Sequence, residues 1–284
     1  MFLPRKILEE KLRALLAEDM GQGDITSSLV VPAGTNAKAS VVAKQAGIVA
    51  GIEEGKIFLQ SLGLEVEGSV SDGKKVKPGE VLLRISGDAR TLLAAERTLL
   101  NLLSRMSGIA TATRNLVEKL REANIKTRVA CTRKTAPGLL YFDKKAVVIG
   151  GGDTHRLHLD DMILIKDNHI ALAGSVEKAV EKARKRASFS KKIEVEVTEA
   201  EEVLPAIRAG ADIVMLDNFS PKRIEKAMAL LKKNKYYGKV LVEVSGGITA
   251  ENITRFASTG VDVVSLGEIT QSPKALDMSL EIKK

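Results

Sequence analysis

The stretch IEVEVTEAEEVLPAIRAGADIVMLD, residues 193–217, holds two short runs of β-branched and long aliphatic residues, IEVEV (193–197) and IVML (213–216), flanking a helical stretch over 199–209. Strand, helix and strand in that order make a βαβ unit, whose two strands lie parallel. The rhythm extends in both directions. VACT (129–132), AVVI (146–149) and MILI (162–165) precede it, VLVEV (240–244) and VDVVSL (261–266) follow, and helical stretches cover 175–187, 221–234 and 250–258. The residues that follow or cap these runs are Arg133, Gly150, Lys166, Glu196, Asp217, Ser245 and Gly267. Functional groups at strand ends are what a β/α barrel presents at its catalytic face. An open doubly wound sheet gives the same alternation, and seven runs instead of eight leave closure undecided.

Upstream the text changes. From about Asp24 to Ile85 short alternating runs are broken by glycine, in ASVVAKQAGIVAGI (39–52), LEVEGSV (64–70) and KVKPGEVLLRI (75–85), predicting a small antiparallel sheet. Residues 69–87 taken alone look like half of a lipoyl or biotinyl hammerhead. The Met-Lys or Asp-Lys hairpin tip needed for attachment is missing, so Pro78-Gly79 reads as a plain β-turn. MFLPRKILEEKLRALLAEDM (1–20) reads as an amphipathic helix. Two more helices are expected over 89–106 and 109–124, separated by a break or kink at Ser107-Gly108 because both residues have low helix propensity.

With 284 residues and 44% hydrophobic content, the chain can bury a core large enough for one α/β domain or two smaller ones. No apolar run approaches the roughly 20 residues that span a bilayer, and the single cysteine, Cys131, rules out an intramolecular disulfide and paired-cysteine zinc. A cytoplasmic location is expected. The net charge of +8 invites a nucleic-acid reading, but Lys and Arg alternate with Glu in SVEKAVEKARKRA (175–187) and LREANIKTR (120–128), as on a solvated helix face. With no Trp and three Tyr there is little for bases to stack on.

All three histidines, His155, His158 and His169, lie in GGGDTHRLHLDDMILIKDNH (150–169). With Arg133, Lys134, Arg156 and Lys166 they gather cations suited to a polyanion. Arg133 and Arg156 can each fork a planar carboxylate, whereas Lys134 and Lys166 are mobile charges for phosphate. Ser245-Gly246-Gly247-Ile248 turns into a helix from residue 250 whose first amides face the turn, and with Gly267 it predicts a 5′-phosphate site. Glu196 and Asp217 end consecutive strands. They can bind sugar hydroxyls and magnesium or stabilise developing positive charge, or they can simply pair with the cations. Glu194 is placed facing the helices. His155 is either a carboxylate ligand or a structural imidazole; His158 reads as structural and His169 as orienting its neighbours. The histidine spacing argues against zinc. Cys131, in an apolar strand without a base, is a buried thiol.

EDMGQGDITS (18–27), ERTLLNLLSRMSGIAT (96–111), TRKTAPG (132–138), GGGDTHR (150–156), DMILIKDNH (161–169), EVEV (194–197), MLDN (215–218), EVSGGI (243–248) and SLG (265–267) resemble the quinolinate phosphoribosyltransferase family, the carboxylating nicotinate-nucleotide pyrophosphorylases. The resemblance implies an N-terminal α/β sandwich, residues 1–107 joined by 270–284, and a seven-stranded open or distorted α/β barrel over 108–269. It implies a homodimer, or a higher oligomer, in which Arg97 completes the neighbour's site. Arg97, Arg133, His155, Arg156 and Lys166 would hold quinolinate. Lys134, Glu196, Asp217, Ser245, Gly246, Gly247 and Gly267 would hold phosphoribosyl pyrophosphate, with Mg2+ at Glu196 and Asp217, and Lys134, Lys166, Glu196 and Asp217 would be catalytic. The implied reaction belongs to de novo NAD biosynthesis; the alternative is a paralogous molybdate-transport-associated phosphoribosyltransferase-like protein with another acceptor. Two departures stand out: Gln271 occupies the place of the family's usual histidine, and His158 follows Leu157 where a small residue is usual.

Overall fold

The computed structural model describes residues 3–283; Met1 and Phe2, which open the helix expected over 1–20, and Lys284 lie outside them. The chain divides into two compact units. The first comprises residues up to Arg114, Tyr141–Gly151 and those from Ser272 on; the second comprises Asn115–Leu140 and Gly152–Gln271.

In the first unit, helix Arg5–Met20 buries Leu8, Leu12 and Leu16, a stripe at four-residue spacing. It packs on helix Ile52–Ser61. The sheet is built from β1 (Asn36–Ala43), a two-residue β2 (Gly47–Ile48), β3 (Glu65–Ser69), a two-residue β4 (Lys75–Val76) and β5 (Val81–Asp88). β1, β5, β3 and the last strand, Met278–Lys283, form an antiparallel four-stranded sheet in which the last strand pairs with β1; β2 and β4 pair separately. Glu80 N–H donates to Lys77 O at 3.1 Å across Pro78-Gly79, and Gly79 sits at φ +85°, so that segment is a turn.

Two expectations fail in this unit. Ser107-Gly108 does not break a helix, because Ala89–Glu122 is one helix of 34 residues. The small residues serve packing instead. Ser107 Oγ accepts from Ala50 N–H at 3.0 Å, and a methyl group on Gly108 would overlap the Lys274 carbonyl. The AVVI run at 146–149 is not a strand but the end of helix Leu140–Gly150. Four apolar residues do not distinguish a strand from a buried helical turn. Tertiary contacts decide: Arg105 clamps Asp143 through two 2.8 Å bonds, Lys145 pairs with Glu53 and Glu54, and Arg114 closes the helix end by donating to the Gly150 carbonyl at 2.9 Å. Gly150 is therefore a helix end and not a strand end.

The second unit is built on β6 (Arg128–Cys131), β7 (Ile163–Ile165), β8 (Ile193–Val197), β9 (Ile213–Asp217), β10 (Leu241–Ser245) and β11 (Val263–Leu266). They form one parallel sheet in the order β6-β11-β10-β9-β8-β7. Seven runs thus give six strands, and the seventh position beside β6 is taken by a single bridge, Asp153 to Ala130. No pairing among the described residues joins that bridge to β7, so the sheet stays open. Val195, Val214, Leu216, Val242 and Val244 are fully or almost fully buried on one face, while Glu194, Glu196, Asp217, Glu243 and Ser245 share the other parity.

Replacing an exposed helical Gly with Ala ordinarily gains about 1 kcal/mol. Gly108→Ala should instead lower the stability by about 1–3 kcal/mol, because the methyl group meets backbone that cannot yield. Guanidinium unfolding decides it; a raised midpoint would show that the contact is soft.

Candidate active site

A cavity of about 1010 Å3 opens over the ends of the parallel strands. Its wall contains Arg133, Lys134, His155, Arg156, Lys166, Glu196, Asp217, Ser245, Gly246, Gly247 and Gly267, so every candidate site residue except Arg97 lines it. Arg97 is exposed, in the part of helix Ala89–Glu122 that belongs to the first unit. Gln271 is also in the wall. Its Oε1 and the Lys134 stem both crowd the space above Gly267, where an added methyl would lie 3.6 Å and 3.1 Å from them. Glycine there lets backbone and any ligand approach closely.

The strands set the order of charges. Glu196 is level with Met215, and Asp217 with Ser245, which in turn is level with Ser265. Lys166 follows β7 and pairs through Nζ with Glu196. The Lys166 backbone N–H donates to His169 Nδ1 at 2.9 Å, so His169 caps helix Asp167–Ala173 and fixes the backbone that carries Lys166. Lys134 is held at both sides of its peptide: its N–H donates to Thr132 Oγ1 at 3.1 Å, and its carbonyl accepts from Thr270 Oγ1 at 2.8 Å.

The double-glycine turn differs from expectation in one respect. The helix begins at Ile253, not 250, and Thr249 N–H is already taken by Asn252 Oδ1 at 2.8 Å. Any anion there meets the turn itself and not a helix end. Gly246 and Gly247 lie at φ +92° and +64°, a region costly for other residues. A side chain on Gly246 would also overlap Asn218 Oδ1, whose amide donates to Asp217 Oδ2 at 2.9 Å.

Glu194 does not face the helices. Residues two apart on a strand share a face, so Glu194 points the same way as Glu196, into the interior. There His155 Nε2 lies 3.2 Å from Glu194 Oε2 and 3.2 Å from Glu243 Oε2. Burial alone would strip the ring of its proton; the two carboxylates outweigh burial and raise the His155 pKa to about 10. Arg156 is 9% exposed, and burial, then the neighbouring Arg133, lower its pKa while Glu194, Glu196 and Asp161 oppose them. Cys131 is buried in the cavity wall with Sγ 3.6 Å from the Thr154 carbonyl. His158 lies outside the wall and is exposed; its backbone N–H and that of Leu157 hold the Asp161 carboxyl below the usual range.

Sequence reasoning passed over Glu243, Asn218 and Ser265. Ser265 lines the cavity with its buried Oγ lacking a partner among the described residues. Glu243 had a readable signal, an acid inside the apolar run VLVEV with the parity of Ser245.

Residues 24–107 match the model of the quinolinate phosphoribosyl transferase N-terminal domain, and residues 109–281 match that of its C-terminal domain. The chain belongs to this family. It is 45% identical to the probable nicotinate-nucleotide pyrophosphorylase [carboxylating] of Methanothermobacter thermautotrophicus, over 96% of this chain and 98% of that one. It is 39% identical to the nicotinate-nucleotide pyrophosphorylase [carboxylating] of Rattus norvegicus, over 99% and 92%. The structure of the nicotinate-nucleotide pyrophosphorylase from Francisella tularensis superposes with a TM-score of 0.89 at 40% identity, covering 99% of this chain and 98% of that one. No helix among the described residues is long and apolar enough to cross a membrane.

Gly246→Ala should cost about 2–4 kcal/mol, combining a strained backbone angle with displacement of Asn218 from Asp217. An unchanged thermal midpoint would mean that the turn accommodates a side chain.

Proposed function

We propose that the protein transfers the phosphoribosyl group of phosphoribosyl pyrophosphate to the ring nitrogen of quinolinate, with loss of CO2, giving nicotinate mononucleotide and pyrophosphate. The observation that carries this reading is one cavity in which two arginines and a histidine stand beside two lysines, two carboxylates and a double-glycine turn. Its volume suits two small anionic substrates held together. The paralogue with another acceptor is not favoured, because the relatives matching nearly the whole chain are named as carboxylating enzymes.

Arg133, Arg156 and His155 hold the two quinolinate carboxylates, and Arg97 arrives from a second copy of the chain to complete that pocket. Ser245, Gly246, Gly247 and Gly267 take the 5′-phosphate on the turn. As the ring nitrogen bonds to C1 of the ribose, the bond to pyrophosphate breaks and positive charge develops on the sugar, where Glu196 and Asp217 stabilise it. Lys134 receives the negative charge of the departing pyrophosphate. Lys166, paired with Glu196, orients that carboxylate. Ribosylation leaves the ring nitrogen cationic. The electron pair of the breaking carboxylate bond therefore flows into the ring as CO2 departs, and the carbon left behind takes up a proton. No dedicated base is required, and the rate comes from positioning and electrostatics.

Two carboxylates on neighbouring strands are a hard-oxygen pair, and no third acid gathers with them among the described residues. That suits Mg2+, which takes one or two carboxylates and keeps waters and substrate phosphate oxygens for its other positions. Glu196 and Asp217 would hold it, and bound there it would offset the charge of the diphosphate. The enzyme acts in the cytoplasm as a homodimer.

Incubation with quinolinate, phosphoribosyl pyrophosphate and Mg2+ should release CO2 and form nicotinate mononucleotide, while nicotinate as acceptor gives none; turnover of nicotinate alone would refute the reading. Arg133→Ala should reduce kcat/KM for quinolinate on the order of 10²- to 10³-fold, since it strands a carboxylate. Mixing Arg97→Ala and Glu196→Gln chains should restore about a quarter of native activity through mixed dimers. No recovery would place Arg97 outside the neighbour's site.

A further inference from the structure

We infer that Glu194 and Glu243 are positioning residues which hold the His155 ring by its Nε2, so that Nδ1 is presented to the cavity as a hydrogen-bond donor for a carboxylate of the acceptor. This rests on the proposed reaction and extends it to two residues that touch no substrate.

Three observations carry it. Both carboxylates contact the same ring nitrogen at 3.2 Å, from two strands separated by β9. Nδ1 has no hydrogen bond to the protein among the described residues, although the ring lines the cavity. The His155 backbone is held in the left-handed region at φ +51°, with its N–H donating to Asp153 Oδ1 at 2.8 Å and its carbonyl accepting from Thr154 Oγ1 at 3.0 Å. A residue other than glycine at that angle is uncommon, and here the backbone and the ring are each fixed by separate partners.

The chemistry decides what the clamp achieves. A neutral imidazole carries one N–H; were it spent on the glutamates at Nε2, Nδ1 would be an acceptor and would repel a carboxylate. Two buried acids at Nε2 keep the second proton on the ring, so Nδ1 donates. The side chains of Glu194 and Glu243 are 0% and 3% exposed; neither oxygen of Glu194 nor Oε1 of Glu243 makes a well-aligned hydrogen bond among the described residues, so both acids meet Nε2 as ion pairs. Buried, incompletely bonded acids do little for stability and are often replaced by apolar residues without loss. Stability alone therefore gives no account of their presence.

The test uses the full-length protein with ¹⁵N-labelled histidine. It contains three histidines, so His155→Gln and His158→Gln variants assign the signals. At pH 8 the native His155 should show both ring nitrogens protonated, and the Glu194→Gln/Glu243→Gln double variant should show a neutral ring. In the same variant the KM for quinolinate should rise on the order of 10- to 100-fold, with the KM for phosphoribosyl pyrophosphate within about twofold. Should the double variant unfold, Glu243→Gln alone is to show the same split between the two KM values. A neutral ring in the native protein overturns the inference, as does an unchanged quinolinate KM once the ring has lost its proton. Native protein that does not turn over quinolinate would instead refute the proposed reaction, a result separate from both.

Discussion

Five cationic side chains, Arg133, Lys134, His155, Arg156 and Lys166, face one cavity, and like charges so close repel one another by amounts comparable to the whole stability of a domain unless they are compensated. Compensation comes from the period of a β-strand. Because side chains two apart share a face, IEVEV places Glu194 deep and Glu196 near the mouth on one strand. Glu196 meets Lys166 at the rim, while Glu194 and Glu243 meet His155 below. The interior of the sheet thus sets acids against cations at two depths, Glu196 with Lys166 and Glu194 and Glu243 with His155.

The outward face of the same strands is apolar and closed by helices, which fixes each strand's rotation and therefore which acid points inward. A one-residue slip of β8 would exchange Glu194 and Glu196 for Val195 and Val197 and empty the cavity of its carboxylates. Packing on one face and electrostatics on the other are two consequences of one register. For this reason the pairing of Glu196 with Met215 and Asp217 with Ser245 is both a fold statement and a site statement.

Much of this was legible because it depends on local pattern. The six parallel strands, the charged groups at their ends and the glycine turn announce themselves in runs of four to six residues. What escaped depends on distant contacts. Ser107-Gly108 reads as a break until the segment around Lys274 is packed against it, and AVVI reads as a strand until Arg105 and Glu54 hold its helix by charge. Strand parity alone turns Glu194 inward beside Glu196, and the same parity with Ser245 marks Glu243 as inward; what the sequence does not show is that both meet His155. His155 lies in a glycine-rich loop, where periodicity says nothing about what its ring will meet.

The chain's path adds a further constraint on those loops. It leaves the second unit after Leu140, a few residues past Arg133 and Lys134, and re-enters it at Gly152, three residues before His155. The residues between form a helix whose Asp143, Lys144 and Lys145 are buried charged groups of the first unit. Arg105 grips Asp143 in two-point geometry, and Lys145 bridges Glu53 and Glu54. Removing one partner from a buried pair leaves an uncompensated charge, so the pairs fix which residues of this helix face Arg105, Glu53 and Glu54. Within the second unit the cation-bearing loops are held by their own bonds, Lys134 through Thr132 and Thr270 and His155 through Asp153 and Thr154. A histidine held at φ +51° between two acids depends on those local bonds, because a loop free to relax would release both the angle and the ring.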